Sequence, residues 1–253
     1  MATNIDLREK TALVTGGTMG IGAAIASELH KAGADLIITG VEKISIIEEL
    51  NENKRKEGIN NVQYINVDFA NNDSIDNFFN FLDAQNKIDI CINNAGTNRN
   101  NLIDEINTKD FDLLLDVNLK APFLITRFLS KKMKEANYGR IVNIASIWSI
   151  KSRPGRAAYT ISKSGIVGLT KTSSIELAPN NILVNAVSPG FTMTELTMKT
   201  LPEKEFKELE SLVPLKRFAQ PEEIAKLVLF LVSDLNTYIT GQNIAIDGGY
   251  KNV

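Results

Sequence analysis

The chain has 253 residues, enough for one large α/β domain or two small ones, and its 43% hydrophobic content suffices for a sizeable core. A net charge of −2 with acids and bases interspersed gives no general attraction to nucleic acid or anionic membrane, and no run approaches the roughly 20 apolar residues that span a bilayer. One histidine and one cysteine leave no internal disulfide, no cysteine-based zinc site or other evident metal site, and no general base for a hydrolytic Ser/His/Asp triad.

Short apolar runs recur along the chain at 11–16 (TALVTG), 34–40 (ADLIITG), 62–69 (VQYINVDF), 88–96 (IDICINNAG), 139–146 (GRIVNIAS), 182–190 (ILVNAVSPG) and 243–249 (NIAIDGG). They are nearly continuous rather than alternating, as expected of parallel strands covered on both faces. Helix-like stretches lie between them at 20–33, 74–85, 110–136, 157–178 and 221–234. This alternation predicts an α/β fold: a single Rossmann-type domain over 1–253, with a doubly wound parallel sheet of about seven strands and helices on both faces. Gly33 suits a left-handed C-cap after the first helix, and Pro221 a first-turn position followed by Glu222 and Glu223 at the positive end of the helix dipole. The segment 191–219 breaks the rhythm, is rich in helix formers and is too long for an ordinary loop, so one or two small helices covering a site are expected there. Cys91 reads as a packed thiol in a strand and His30 as a surface residue at a helix end. The opening MATNIDLREK lacks the apolar segment of a signal peptide, and a soluble cytoplasmic protein is the expectation.

Two segments carry chemistry. After the first strand, Gly16, Thr18, Met19, Gly20, Ile21 and Gly22 open a helix. Glycines in that place permit a tight turn and close backbone approach to a pyrophosphate, which the unpaired N–H groups of the helix start can bind. Asp68, ending a later strand with Phe69 beside it, is a candidate acceptor for an adenine amino group. The second segment, Tyr159 to Lys163 (YTISK), places a phenol and an ammonium four positions apart on one helix face. By itself such a pair is what a solvated helix offers.

With its surroundings it is more. The chain resembles the short-chain dehydrogenase/reductase family over nearly its whole length: TGxxxGxG at Thr15 to Gly22, NNAG at Asn93, Asn94, Ala95 and Gly96, a helix asparagine at Asn118, a serine at Ser146 thirteen positions before Tyr159, YxxxK at Tyr159 and Lys163, and PG at Pro189 and Gly190. The pattern is most similar to that of 3-oxoacyl-acyl-carrier-protein reductases, including AVSPGF and the closing ITGQNIAIDGG. The resemblance implies an NAD(P)-dependent oxidoreductase with Asn118, Ser146, Tyr159 and Lys163 as catalytic residues. Tyr159 would exchange the proton, Lys163 would depress its pKa and bind the nicotinamide ribose, Ser146 would hold the substrate carbonyl, and Asn118 would hold a helix bend and a water for proton relay. Such chemistry needs no metal, because the nicotinamide supplies the electrons and a cation near a tyrosine favours its phenolate. Asn94, Ala95 and Gly96 would pass the adenosine half of the cofactor, and Pro189, Gly190 and Thr192 the carboxamide; Thr192 is alternatively a helix cap.

Cofactor choice and substrate are less directly written. Gly40, followed by Val41, occupies the end of the second strand where NAD selectivity commonly needs an acid, although Met19 stands where NADP-preferring relatives often have a base; the balance leans weakly to NADP. An acyl-carrier partner calls for basic residues, and Lys131, Lys132 and Lys134 are candidates, while Pro179, Asn180 and Asn181 stand where such reductases often carry a base. Trp148, Arg153 and Arg156, between Ser146 and Tyr159, are candidates for the substrate mouth, pointing to an anionic or sugar-like alternative substrate. The helical stretches 108–135 and 157–178 are apolar enough to suggest a homodimer or homotetramer. A nucleotide-binding sensor or scaffold without turnover is the reading from another class.

Overall fold

The computed structural model describes residues 5–253, without the side chains of Leu196 and Thr200; the first four residues of the expected domain lie outside the described residues. Seven strands form one parallel sheet in the order β3-β2-β1-β4-β5-β6-β7. These are β1 (Thr11–Val14), β2 (Asp35–Gly40), β3 (Val62–Asn66), β4 (Ile90–Asn93), β5 (Gly139–Ile144), β6 (Ile182–Pro189) and β7 (Asn243–Ile246).

The continuous apolar runs have a direct cause, since alternate residues of each central strand enter two different cores. Ala12, Val14, Ile90, Ile92, Val142 and Ile144 face one layer, against Ile25 and Leu29 of α1 (Gly20–Lys31) and Val228 and Leu231 of α9 (Pro221–Val232). Leu13, Cys91, Ile141 and Val184 face the other, against Phe78 and Leu82 of α3 (Asn72–Asp83), Ile125 and Leu129 of α5 (Ala121–Ala136), and Leu177 of α6 (Ala157–Leu177). Burying both faces removes the polar alternation of a one-sided sheet.

Most strands end before the runs predicted for them. The residues after Val14, Asn66, Asn93 and Ile144 leave the ladder and become loops at the C-terminal edge of the sheet. Those loops hold the candidate site, at the point where the strand order reverses between β1 and β4. The predicted helix 110–136 is interrupted: α4 (Thr108–Leu115) passes through a π-helical turn over Asp116–Lys120 before α5 resumes. The unpredicted helix α2 (Ile44–Lys56) buries only Ile47, so its apolar stripe is too thin to show in the sequence. Two short helices, α7 (Glu195–Thr200) and α8 (Glu203–Leu212), occupy the insertion after β6. Gly33 follows α1 at φ +100°, and Pro221 opens α9 with Glu223 bonded back to the Gln220 amide. No helix among the described residues is long and apolar enough to cross a membrane.

Candidate active site

The loop between β1 and α1 is folded tightly against the loop after β4. Gly16 has φ +61°, and a Cβ on it would stand 2.8 Å from the Ala95 Cα; one on Gly22 would stand 2.2 Å from the Gly16 carbonyl oxygen. Neither position has room for another residue. Asn94 Nδ2 donates to the carbonyls of Thr15 (2.9 Å) and Gly16 (2.8 Å), while Thr15 Oγ1 accepts from the amides of Asn94 and Ala95 at 3.0 Å each. Asn94 thus staples two strand tips together. α1 starts after Met19 with no side-chain cap, leaving its first amides and its dipole to an anion. The Met19 side chain is exposed, whereas Ile21 packs against the core, so any part Ile21 takes in binding is through its backbone.

Beyond Gly40 the structure contains a carboxylate that the strand-end reading passed over. Thr18 Oγ1 donates to Glu42 Oε1, and a Cβ on Gly40 would meet Glu42 Oε2 at 2.1 Å. Glu42 Oε2 is itself buried and, among the described residues, has no hydrogen-bond partner. The signal was present in the sequence as an acid two residues past the strand. Asp68 is exposed and its Oδ1 accepts from the Ala70 amide at 2.9 Å; Phe69 is a core residue, edge-on to Phe78 at 5.7 Å.

At the other end of the crevice four polar residues converge. Asn118, fully buried in the π-turn, accepts from the Thr97 amide (2.7 Å) and donates to the Thr97 carbonyl (2.9 Å) and Ser162 Oγ (3.1 Å). A π-turn widens a helix by one residue and recurs at functional sites; here it turns Asn118 between the loop after β4 and α6. Lys163 Nζ donates to the Ile144 carbonyl at 2.8 Å and lies 5.8 Å from the centre of the Tyr159 ring. Gly96 completes the cluster: a Cβ there would be 3.4 Å from Asn118 Oδ1 and 3.5 Å from Lys163 Nζ. Ser146, which accepts from the Trp148 amide at 3.2 Å, faces the Tyr159 phenol.

Burial pushes the Tyr159 phenol up, and the Ser146 hydrogen bond and the Arg156 charge pull it part of the way back. Burial likewise lowers Lys163 to about 8. The Arg156 charge, outside the YxxxK pair, also reaches the Tyr159 phenol.

Gly190 approaches the loop after β7 so closely that a Cβ would stand 2.7 Å from Asp247 Cα. Thr192 is buried and its hydroxyl donates to the Gly190 carbonyl at 3.2 Å. The alternative that Thr192 caps the next helix is corrected by Thr194, whose Oγ1 accepts from the Thr197 amide at 3.1 Å. Pro189 ends β6 beside these residues. Phe191 stacks on Phe218 at 5.2 Å, Phe218 meets Phe206 of α8 at 4.4 Å, and Phe191 meets Trp148 edge-on at 6.1 Å. An aromatic chain therefore ties α8 to the segment between Ser146 and Tyr159.

The glycine cradle, the uncapped helix start and the unpaired Glu42 oxygen fit a dinucleotide, with Gly16, Gly20, Gly22, Ala95 and Gly96 offering backbone along its length. Such a cofactor supplies hydride to a carbonyl carbon or takes it from an alcohol. Such a reaction also needs a proton, and Tyr159 is a titratable hydroxyl packed beside Ser146.

Comparisons with known proteins place the chain among recognisable relatives. A family model described as "Enoyl-(Acyl carrier protein) reductase" matches residues 16–251. The chain is similar to the 3-oxoacyl-[acyl-carrier-protein] reductase of Rickettsia felis, at 42% identity over 97% of this chain and 98% of the relative. Among solved structures it is similar to a putative gluconate dehydrogenase from Agrobacterium tumefaciens (TM-score 0.91, 34% identity, 98% of each chain). It is also similar to a putative NAD(P)-dependent gluconate 5-dehydrogenase from Beutenbergia cavernae with bound NADP at low occupancy (TM-score 0.91, 31% identity, 99% of this chain and 100% of the other).

Proposed function

As a member of the short-chain dehydrogenase/reductase family, the chain is an NAD(P)-dependent oxidoreductase of carbonyl compounds, and from that premise we propose that it interconverts a ketone and a secondary alcohol with Tyr159 as acid and base. The observation that carries this reading is the convergence of Tyr159, Ser146, Lys163 and Asn118 opposite the glycine cradle. In reduction Ser146 and Tyr159 hold the carbonyl oxygen, and the phenol gives its proton to the forming alkoxide. Lys163 holds the nicotinamide ribose with its remaining donors, and Asn118 keeps the bend through which a water relays the proton. Replacing Tyr159 with Phe is expected to lower kcat by about 10²–10⁴-fold while NADH still binds; retained turnover in a panel of ketones followed by absorbance overturns the assignment.

The coenzyme choice turns on Glu42. The absence of an acid at Gly40 leans to NADP, and a neighbouring structure holds NADP. The Glu42 carboxylate on Thr18 argues for NAD, because it can accept from a ribose 2′-hydroxyl and repels a 2′-phosphate by on the order of 1–4 kcal/mol at about 4 Å. Fluorescence titration is expected to give tighter binding of NADH than NADPH in the native protein, with Glu42→Ala bringing the two within a few fold. Equal binding by the native protein overturns this choice.

For substrate, the curated relatives make 3-oxoacyl thioesters the first class to test, without need of a carrier protein. A carrier docking on Lys131, Lys132 and Lys134 is disfavoured, since Lys132 Nζ already donates to the carbonyls of Leu82, Asp83 and Gln85 at 2.7–3.0 Å. A second reading, a polar oxo acid, is favoured by the placement of Arg153 and Arg156 over Trp148. The protein acts in the cytoplasm as a single-domain subunit, 191–219 covers the substrate, and its long helices pair copies into a dimer or tetramer. A non-catalytic sensor has no use for the Ser146, Tyr159 and Lys163 set.

A further inference from the structure

We infer that Arg153 and Arg156 form a carboxylate-docking site at the mouth of the active site, so that the substrate is an oxo acid or the matching hydroxy acid. The inference rests on the oxidoreductase reading above and specifies its substrate.

Both guanidinium groups lie over the indole of Trp148, with their carbons 5.5 Å (Arg153) and 5.6 Å (Arg156) from the ring centre. A guanidinium held by cation–π attraction uses none of its N–H donors on the ring and leaves them for another partner. Trp148 is buried among Ile147, Tyr159, Phe191 and Tyr250, so the platform is fixed to the same aromatic cluster as the catalytic phenol. Arg156 is half-buried and, among the described residues, its side chain makes no hydrogen bond or ion pair. A half-buried cation beside a second cation is unfavourable unless an anion joins them. Burial, first, and Arg153 act on Arg156 in that unfavourable sense, and Tyr159 and Glu205 offset them only in part.

The surrounding charges indicate what size of anion fits. Glu205 of α8 approaches Arg153 at 3.7 Å, beyond hydrogen-bonding distance. Lys151 is taken up by the carbonyls of Tyr250 and Val253, Arg99 is paired with Asp110, and Lys163 is turned inward to Ile144. Two arginines and one glutamate leave a single net positive charge, which matches a monoanionic carboxylate better than a phosphate dianion. A planar carboxylate also meets guanidinium donors in a bidentate fork. This site provides for acid recognition apart from Lys163, the one basic residue of the catalytic quartet, which is turned to the Ile144 carbonyl.

Trp148 is the only tryptophan of the chain, so its emission reports directly on the platform. The experiment titrates the NAD⁺-loaded protein with acetoacetate, 4-oxopentanoate, 5-oxohexanoate and 5-oxo-D-gluconate, each beside its uncharged methyl ester, and measures kcat/KM for the same compounds with NADH. Acids are expected to quench Trp148 and to exceed their esters by tenfold or more in kcat/KM for at least one chain length. Arg156→Met, which also removes a charge acting on Tyr159, is expected to lower the ratio of kcat/KM for that acid over its ester by tenfold or more, whereas Glu205→Gln, which removes the competing carboxylate, lowers KM for the acid. Equal losses on acid and ester, a native preference for the ester, or no quenching by any acid overturns the site. Quenching that Arg156→Met abolishes, in a protein that turns over none of these compounds, sustains the site and overturns the oxidoreductase reading instead. Replacing the acids with acetyl phosphate and inorganic phosphate distinguishes the sources: tighter binding of phosphate than of every carboxylate overturns the assignment.

Discussion

Lys163 shows how one residue can serve chemistry at the expense of stability. Burial holds its pKa near 8 in the folded protein against 10.5 for an unperturbed lysine. The unfolded chain therefore binds more protons between about pH 8 and 10.5, and stability from this group rises with pH across that window; below pH 8 the full penalty is present. Replacing Lys163 with Met relieves up to about 3 kcal/mol at pH 7, offset by the lost bond to Ile144. Urea melts are expected to show the variant more stable at pH 7, with the gap closing towards pH 10, and no activity. An unchanged or lower midpoint at pH 7 shows that the ammonium is better solvated than its burial indicates. Cys91 is the opposite case: its thiol is buried and pushed up to about 12, so it stays a packing residue.

At the scale of elements, the interrupted helix is the feature that joins fold to chemistry. The π-turn over Asp116–Lys120 brings Asn118 against Thr97 and Ser162, so one amide side chain spans the loop after β4 and the first turns of α6. Substituting Asn118 with Ala leaves the Thr97 amide and carbonyl without these partners, and a loss of about 1–3 kcal/mol is expected. Because Lys163 and Gly96 adjoin Asn118, kcat is expected to fall more than tenfold while the far, adenosine end of the crevice keeps its affinity; thermal denaturation and NADH titration measure the two effects separately. The sequence shows an apolar period straight through 110–136 and gives no sign of the break, since an extra backbone residue in a turn alters which atoms bond rather than which residues are apolar. The helix α2 was illegible for the related reason that one buried residue makes no stripe.

For the whole molecule, two cores separated by one sheet account for most of the buried apolar residues, and exposed apolar side chains lie on loops and helices alike. Phe123 of α5 and Ile161 and Ile175 of α6 are exposed, the last at 77%. If α5 and α6 pair subunits as proposed, light scattering gives a mass of two or four chains, and Ile175→Glu reduces it; a native mass of one chain rejects assembly. The attachment of α8 belongs to the same scale, because Phe206, Phe218 and Phe191 link it to Trp148 only through contacts distant in sequence.

The sequence by itself determined the alternation of strands and helices, the glycine cradle and the spacing of Ser146, Tyr159 and Lys163, because burial periodicity, turn glycines and helical spacing are local properties. Tertiary structure alone decided that Thr18 holds Glu42 over Gly40, that Asn94 staples the cradle, that Thr194 rather than Thr192 caps α7, and that the Arg156 charge reaches the phenol. Those relations arise where loops from several strands meet, and electrostatic influence depends on distance and exclusion of water, which follow from how separate segments pack rather than from their order along the chain.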